Sequence, residues 1–464
     1  MVELHIDYGD AHKPDVSERR PTTLTIGPQH GPLRKLVYVA LWSFACFGAT
    51  LDQLPNRPEE QIASIERTLF AYDIAAAESI FAKTCAIVTD IALTASCEHE
   101  AGEIAALRED DQQALAHYRK ALAAWNVDTR AFPVNRLTTM INLGDTYRRL
   151  RRIAEAQQTF ADALKQLDAA SPPVLRGTAL IRAAALYDEM NDTVRARQLL
   201  DQALAILRPL KQSVQPELAM ALNEAGMLEL KGGNYKAAEM HLRDGVVLAN
   251  TAFGEENPET ASYMSNLALA LLVEGQYSGA DVLLRRARFI IESHAGKESL
   301  RLVPILAELG SLEKREGKFR LAEQDTERAL GILIHRIPYD TEQIVLTRVS
   351  LAGIYIRERK AVEAEALLPA AIEAERGLYH SGRTLADGLR ELAELRALQT
   401  QMPQAAALYR EAIELYDDAL GTSHPDIGPV LREYIDVLKR NKAATAERRE
   451  IEARAHAIES APGS

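Results

Sequence analysis

The sequence predicts an all-α fold, a solenoid of stacked helical hairpins, and three observations carry that expectation. A block of small residues returns at steps of 42 residues or close to it. Between those returns, apolar residues recur at three- and four-residue spacing, the period of amphipathic helices. Aromatic residues make up only 6% of a chain that is 47% hydrophobic, and its Ala- and Leu-rich mix favours closely packed helices over sheets. At 464 residues the chain also exceeds what one hydrophobic core sustains, roughly 250–300 residues. An array of repeats escapes that limit, because each unit packs only on its neighbours.

The repeat is plainest at Gly275–Ala287 (GQYSGADVLLRRA) and Gly317–Ala329 (GKFRLAEQDTERA), where Gly275 and Gly317, Ala280 and Ala322, and Ala287 and Ala329 are each 42 apart. One step back stand Gly233, Ala238 and Gly245, and another gives Asn191, Ala196 and Ala203. The series extends to Ala156 with Ala163 and Ala114 with Ala121, and forward to Ala364 with Ala371 and Ala405 with Ala412. That makes eight copies in register. A second block precedes seven of them: Asn142-Leu143-Gly144, Ala183-Ala184, Ala225-Gly226, Asn266-Leu267-Ala268, Leu309-Gly310, Leu351-Ala352 and Leu392-Ala393. Each copy therefore reads as two helices joined by a short turn at Gly or a polar residue, which makes them antiparallel neighbours.

Small residues at those two depths have a packing cause. Gly144, Ala184, Gly226, Ala268, Gly310 and Ala352 are expected to face the second helix of their own hairpin. Ala156, Ala196, Ala238, Ala280, Ala322 and Ala364 are expected where the second helix crosses the first. A larger side chain there would force the axes apart, at roughly 1–3 kcal/mol. Phe160, Leu200, Leu242, Leu284 and Leu368 are read as filling the space between successive hairpins.

These blocks resemble the tetratricopeptide repeat: small residue, aromatic three later, then Gly, Ala, a bulky apolar residue and Ala. The resemblance implies a right-handed superhelical α-solenoid of about eight to nine hairpins, covering residues 95–425 as the repeat array. Its period of 42, with Gly254–Thr260 (GEENPET) and Gly421–Ile427 (GTSHPDI) between helices, is similar to the kinesin-light-chain subclass. Such a superhelix lines its concave groove with first helices. Residues expected there include Asn142, Asp145, Arg149, Arg182, Asn223, Asn266, Leu269 and Arg315, with Glu308 and Ser350 beside them. Asn142 and Asn266 stand where that subclass commonly carries an Asn that clamps a peptide backbone; an amide both donates and accepts. The alternative is that both simply bond to neighbouring helices. The carboxylate clamp of chaperone-binding relatives is not expected, since its paired lysines are missing.

The implied function is a scaffold or adaptor that binds a protein or peptide segment, not an enzyme; the alternative is a regulatory peptide sensor acting on a separate effector chain. No phosphate loop, dinucleotide turn, HExxH or G-x-S-x-G is present, and no cofactor or metal is expected. His5, Asp7, Asp10 and His12 are the sole grouping that could be drawn onto a metal. Lys+Arg total 54 against 66 Asp+Glu, a net charge of −12, which argues against nucleic acid as the partner. The runs Arg148–Arg152 and Arg285–Arg288 are expected to be solvated faces or partners for nearby carboxylates.

Flanking the array, residues 1–33 read as a disordered or mis-assigned leader, and 34–51 as a signal-like segment or a leading hydrophobic helix. In the second of these, Arg34-Lys35 precedes the apolar run Leu36–Phe47, with Ser43-Phe44-Ala45 placed like a cleavage site. Residues 58–94 read as a degenerate hairpin or cap, 426–458 as C-terminal capping helices and 459–464 as a tail. Export is the expected localisation, the cytoplasm its alternative; a membrane is reached only through that N-terminal segment. Cys85 and Cys97, twelve apart, read as small buried residues on neighbouring helices, or as a bonded pair in an exported chain.

Overall fold

The computed structural model describes residues 57–128, 133–336, 342–378, 382–441 and 445–460. The expected leader, the signal-like segment and the His5 group lie outside the described residues, as does the tail beyond Ser460. Twenty α-helices and no strand occur among the described residues, arranged as an all-α superhelical solenoid of hairpins. The first hairpins are α1–α2 (Pro58–Phe70, Ile74–Cys85), α3–α4 (Ile91–Leu107, Asp111–Trp125) and α5–α6 (Pro133–Arg149, Ile153–Gln166). The next are α7–α8 (Pro173–Glu189, Thr193–Leu207), α9–α10 (Gln215–Lys231, Tyr235–Phe253) and α11–α12 (Pro258–Val273, Tyr277–His294). Then come α13–α14 (Leu302–Arg315, Phe319–Arg336), α15–α16 (Glu342–Arg357, Ala361–Leu378), α17–α18 (Gly382–Leu398, Met402–Leu420) and α19–α20 (Ile427–Arg440, Thr445–Glu459). The eight in-register copies are the hairpins from α3–α4 to α17–α18, and a complete hairpin stands at either end.

The turn inside each hairpin from α1–α2 to α17–α18 holds a left-handed residue. Gly233, Gly275 and Gly317 supply it at φ of 76°, 77° and 75°. Asn191, Arg151, Arg359 and Thr400 occupy the same place at φ of 58–63°, a conformation that side chains other than Gly adopt at some cost. The second helix then starts on a side-chain cap where one is available: Asp110 accepts from Gln113 N at 3.0 Å, and Asp192 from Arg195 N at 3.0 Å.

Where the helices cross, clearance is nil. Ala156, Ala196, Ala238, Ala280, Ala322 and Ala364 have no accessible surface. A Cβ at Gly226 would sit 2.6 Å from Leu242 Cγ, and one at Gly144 would touch the Phe160 ring at 3.0 Å. Phe160 and Leu242 therefore first fill the space over the glycine of their own hairpin, a role the sequence reading gave only to the gap between hairpins. At Gly310 the partner is Thr326, whose Oγ1 lies 2.4 Å from where a Cβ would be.

First helices form an inner layer: each packs on its own second helix and also on the first helix of the next hairpin. Cys85, at the end of α2, is bonded to Cys97 in α3, with Cα atoms 5.8 Å apart. Of the two readings the sequence left open, the bonded pair is the one observed, a covalent staple between the first two hairpins. Twelve-residue spacing bridges a helix end and the following helix because only a short loop separates them.

The solenoid also touches itself one superhelical turn later. Three inter-hairpin loops open on a glycine with positive φ: Gly254 at 96°, Gly296 at 91° and Gly421 at 88°. Three residues after each stands a buried polar side chain: Asn257, Ser299 and His424, at 6%, 3% and 7% exposure. Asn257 Nδ2 donates to Phe70 O at 3.3 Å while its Oδ1 caps α11 at Glu259 N, 2.8 Å. Ser299 Oγ donates to Glu109 Oε1 at 2.6 Å, and Leu300 N to Glu109 Oε2 at 2.9 Å. His424 Nδ1 accepts from Asp426 N at 3.2 Å, which leaves Nε2 to donate to Lys231 O at 3.1 Å. These partners are 187–193 residues apart in sequence. Around them, Phe70 and Phe253 rings lie 5.0 Å apart, and Arg301 stands over the Tyr72 ring at 5.5 Å.

Two measurements check this description. Glu109→Ala is expected to cost about 2 kcal/mol, since it strips a carboxylate from several donors at once. Amide exchange should quicken together at the α3–α4 turn and at residues 296–301, with no change in α17–α18. Reducing the Cys85–Cys97 bond is expected to lower stability by about 3 kcal/mol, the chain-entropy value for so short a loop. Cys85→Ser should reproduce that loss and be insensitive to reductant.

Candidate functional site: the inner wall of the solenoid

The inner wall has a vertical register. Two residues before the small residue of every first helix lies one side chain per hairpin: Glu100, Asn142, Arg182, Glu224, Asn266, Glu308, Ser350 and Glu391, at steps of 40–42. Polar contacts between successive first helices run along this line. Asn142 Nδ2 donates to Glu103, Arg182 Nη1 to Asp145 Oδ2 at 3.2 Å, and Asn266 Nδ2 to Asn223 Oδ1 at 2.8 Å. Ser265 Oγ donates to Glu308 Oε2 at 2.7 Å, and Arg390 makes a two-pronged contact with Glu433 at 2.7 and 2.9 Å.

Asp145 is the hub of the central part. It is buried and accepts from Arg148 Nε at 2.9 Å, from Arg149 and from Arg182. Arg149 also donates to Asp111 Oδ1 at 2.7 Å. Burial alone would raise the Asp145 carboxyl, but the guanidinium groups of Arg182, Arg148 and Arg149 together hold it well below the usual carboxylate range. Farther on, Arg301 Nη2 pairs with Glu259 Oε1 at 2.6 Å; burial would raise the Glu259 carboxyl, but Arg301, helped by Arg182 and Arg149, lowers it.

Two segments of the chain, residues 90–169 and 260–299, match family models described as tetratricopeptide repeat. These segments are tetratricopeptide repeats. No curated protein matches the sequence. Among solved structures, a Rap protein complexed with competence and sporulation factor is similar at 11% identity and a TM-score of 0.58, over 79% of this chain and 98% of that one. Aspartyl phosphate phosphatase F from Bacillus subtilis aligns at 14% identity and a TM-score of 0.48, over 81% of this chain and 98% of the other. BtubC (BKLC) from P. vanneervenii aligns at 22% and 0.40, over 50% and 92%. At its identity, the likeness to the Rap protein speaks for fold alone.

Within the repeats, the structure joins Asp145, Arg149 and Arg182 in one network and pairs Asn223 with Asn266, whereas Leu269 is half-buried and Arg315 stays exposed. Asn142 and Asn266 each tie neighbouring first helices, the bonding that the sequence left open beside backbone clamping. The arginine runs find carboxylates: Arg148 and Arg151 reach Glu189, Arg286 reaches Glu256, and Arg288 reaches Asp325 at 3.1 Å.

Glu100, Glu224 and Glu391 belong to the wall although the sequence reading passed over them. The signal was available: one repeat back from Asn142 is Glu100, and one forward from Arg182 is Glu224. Glu391 packs over Gly353, where a Cβ would come within 2.8 Å of its carboxylate. Burial pushes up the carboxyls of Glu100, Glu224 and Glu308. At Glu224 the nearby Arg148 and Arg182 oppose the rise; at Glu308 only the Ser265 hydroxyl does, and that carboxyl is pushed up to about 8. At Glu100 burial comes first and the neighbouring Glu66 and Glu103 add to it.

A carboxyl raised on folding stays protonated in the fold while it ionises in the open chain. For Glu308 that holds between 4.5 and about 8, so its contribution to stability falls as pH rises through that window and is flat beyond it. Glu308→Gln, neutral at every pH, is expected to remove this decline. Denaturation midpoints should show a gain of a few kcal/mol above pH 8 and little change near pH 4.5. An equal effect at both ends would mean that the carboxyl is not held neutral.

Proposed function

We propose that this chain is a protein–protein interaction scaffold whose inner wall holds a peptide or protein segment, and that it works by binding, without turnover. The repeats support the general class. The observation that carries the finer reading is the wall itself: a run of hydrogen-bonding side chains, one per repeat, interleaved with half-buried apolar positions such as Leu269 and Met227. An extended segment offers backbone donors and acceptors at short intervals, and a wall of amides, carboxyls and guanidinium groups can meet them. The 42-residue period further supports placing the repeats with the kinesin-light-chain subclass.

A second reading, a regulatory peptide sensor acting on a separate effector chain, is favoured by the docking between superhelical turns. Asn257, Ser299 and His424 fix the spacing of those turns, so a ligand bridging the inner wall would bear on that spacing. Export remains the proposed localisation, and the Cys85–Cys97 bond supports it, because disulfides persist in oxidising compartments.

Photo-crosslinking in the native cell tests the scaffold. A crosslinking residue at Leu269, on the inner wall, is expected to trap one protein stoichiometrically, while the same residue at Val282, exposed on the second-helix face, traps none of it. Trapping from Val282 and not from Leu269 would move the binding face outward and end the groove reading. Contraction in solution scattering with no stoichiometric partner would favour the sensor.

A further inference from the structure

At the N-terminal end of the inner wall, a cavity of about 200 Å³ opens between α1, α3, the end of α4 and the start of α5. Its volume is below that of ordinary small-molecule sites and near that of one long side chain. Ile62, Trp125 and Val134 give it an apolar wall, and Glu66, His99 and Glu100 give it a polar one. Glu100 is only 2% exposed, and its Oε2 is buried without any hydrogen-bond partner among the described residues. Native structures satisfy nearly all such atoms, because an unpaired buried polar group costs one or more kcal/mol.

Nothing within the described fold supplies the missing charge. The charged neighbours of Glu100 are Glu66 and Glu103, both acidic. Glu103 already accepts from Asn142, and Arg67, whose charge acts on Glu66, donates to Ser64 Oγ at 2.5 Å. His99 sits beside Thr139 Oγ1 at 3.0 Å, and burial lowers its pKa, which keeps the imidazole neutral. No set of side chains suited to a metal ion occurs among the described residues. Elsewhere on the wall, carboxylates such as Asp145 and Glu259 have arginine partners from the same chain. Here the partner is missing, and the space for it is present.

We propose that this cavity receives a single alkylammonium or guanidinium group, its carbon stem against Ile62, Trp125 and Val134 and its cationic head beside Glu66 and Glu100. Long basic side chains divide in this way between an apolar stem and a charged end. The inference rests on the groove reading for its source of the cation, a basic residue of the bound segment. A free diamine carries the same chemistry and is the other source.

Calorimetric titration of the full chain with acetyl-Ala-Arg-Ala-amide tests it without any cellular partner. The citrulline counterpart is the isosteric neutral control and 1,5-diaminopentane the free-amine probe. The arginine tripeptide is expected to bind at least about tenfold more tightly than the citrulline one, equivalent to 1.4 kcal/mol. Glu100→Gln and Glu66→Gln should each remove that preference, while Glu363→Gln, at an exposed site on the second helix α16, leaves it intact. Glu100→Gln keeps the side-chain volume and deletes a buried acid, so its circular dichroism and melting point report separately on folding. Diamine binding equal to that of the arginine tripeptide would assign the pocket to free amines; tripeptide binding alone would assign it to a basic side chain. Equal binding of arginine and citrulline forms, no binding by any probe, or an unchanged preference in Glu100→Gln would overturn the proposal. Failure here leaves the crosslinking result untouched, and failure of crosslinking leaves this titration interpretable.

Discussion

Everything in this solenoid rests on how closely two helices can approach. Ala280 and its counterparts have no accessible surface, and the glycines opposite leave less than a carbon–carbon contact for an added Cβ. Protein interiors are packed as densely as organic crystals, so one extra methyl at such a crossing would move an entire helix axis. Because the crossing recurs at nearly constant steps, so does its angle, and a constant angle between neighbours generates a superhelix. The fold is therefore a local rule applied repeatedly, with stability summed over nearest neighbours.

That local rule does not by itself say how far one superhelical turn stands from the next. Here the distance is fixed by polar contacts. Asn257, Ser299 and His424 sit in equivalent places, three residues after a glycine, and each satisfies an atom on a hairpin about 190 residues earlier. A nearest-neighbour solenoid thereby acquires long-range contacts, and its cooperativity extends beyond the next repeat. The loops Gly254–Thr260 and Gly421–Ile427 supply two of these three docking points. Their effect is structural.

The inner wall shows the same economy in its electrostatics. Buried charges are costly unless they are paired, and several acids along the wall are paired: Asp145 with three arginines, Glu259 with Arg301, Glu433 with Arg390. Where no base is in reach, the carboxyl goes up in pKa instead, as at Glu308 and Glu100. The wall thus mixes self-neutralised carboxylates with carboxyls that no base reaches. A ligand gains little by competing for Asp145, whose partners are in place, and more by serving a carboxyl that has none.

The sequence by itself determined the hairpins, their number in register and the depth of the small residues, because those follow from periodicity and from sterics within a few turns of helix. It also placed Asn142, Asp145, Arg182 and Asn266 on one strip of the first helices. It did not show that Asn142 and Asn266 bond to neighbouring helices, that Cys85 meets Cys97, or that Glu100 belongs to the same strip without a partner. Least of all did it show Glu109 beneath Ser299. Such pairings depend on the accumulated twist of many hairpins, a small angle multiplied along the chain, and no residue spacing records that angle. Only the tertiary structure decides which loop arrives above which turn, and which buried acid is left for something else to neutralise.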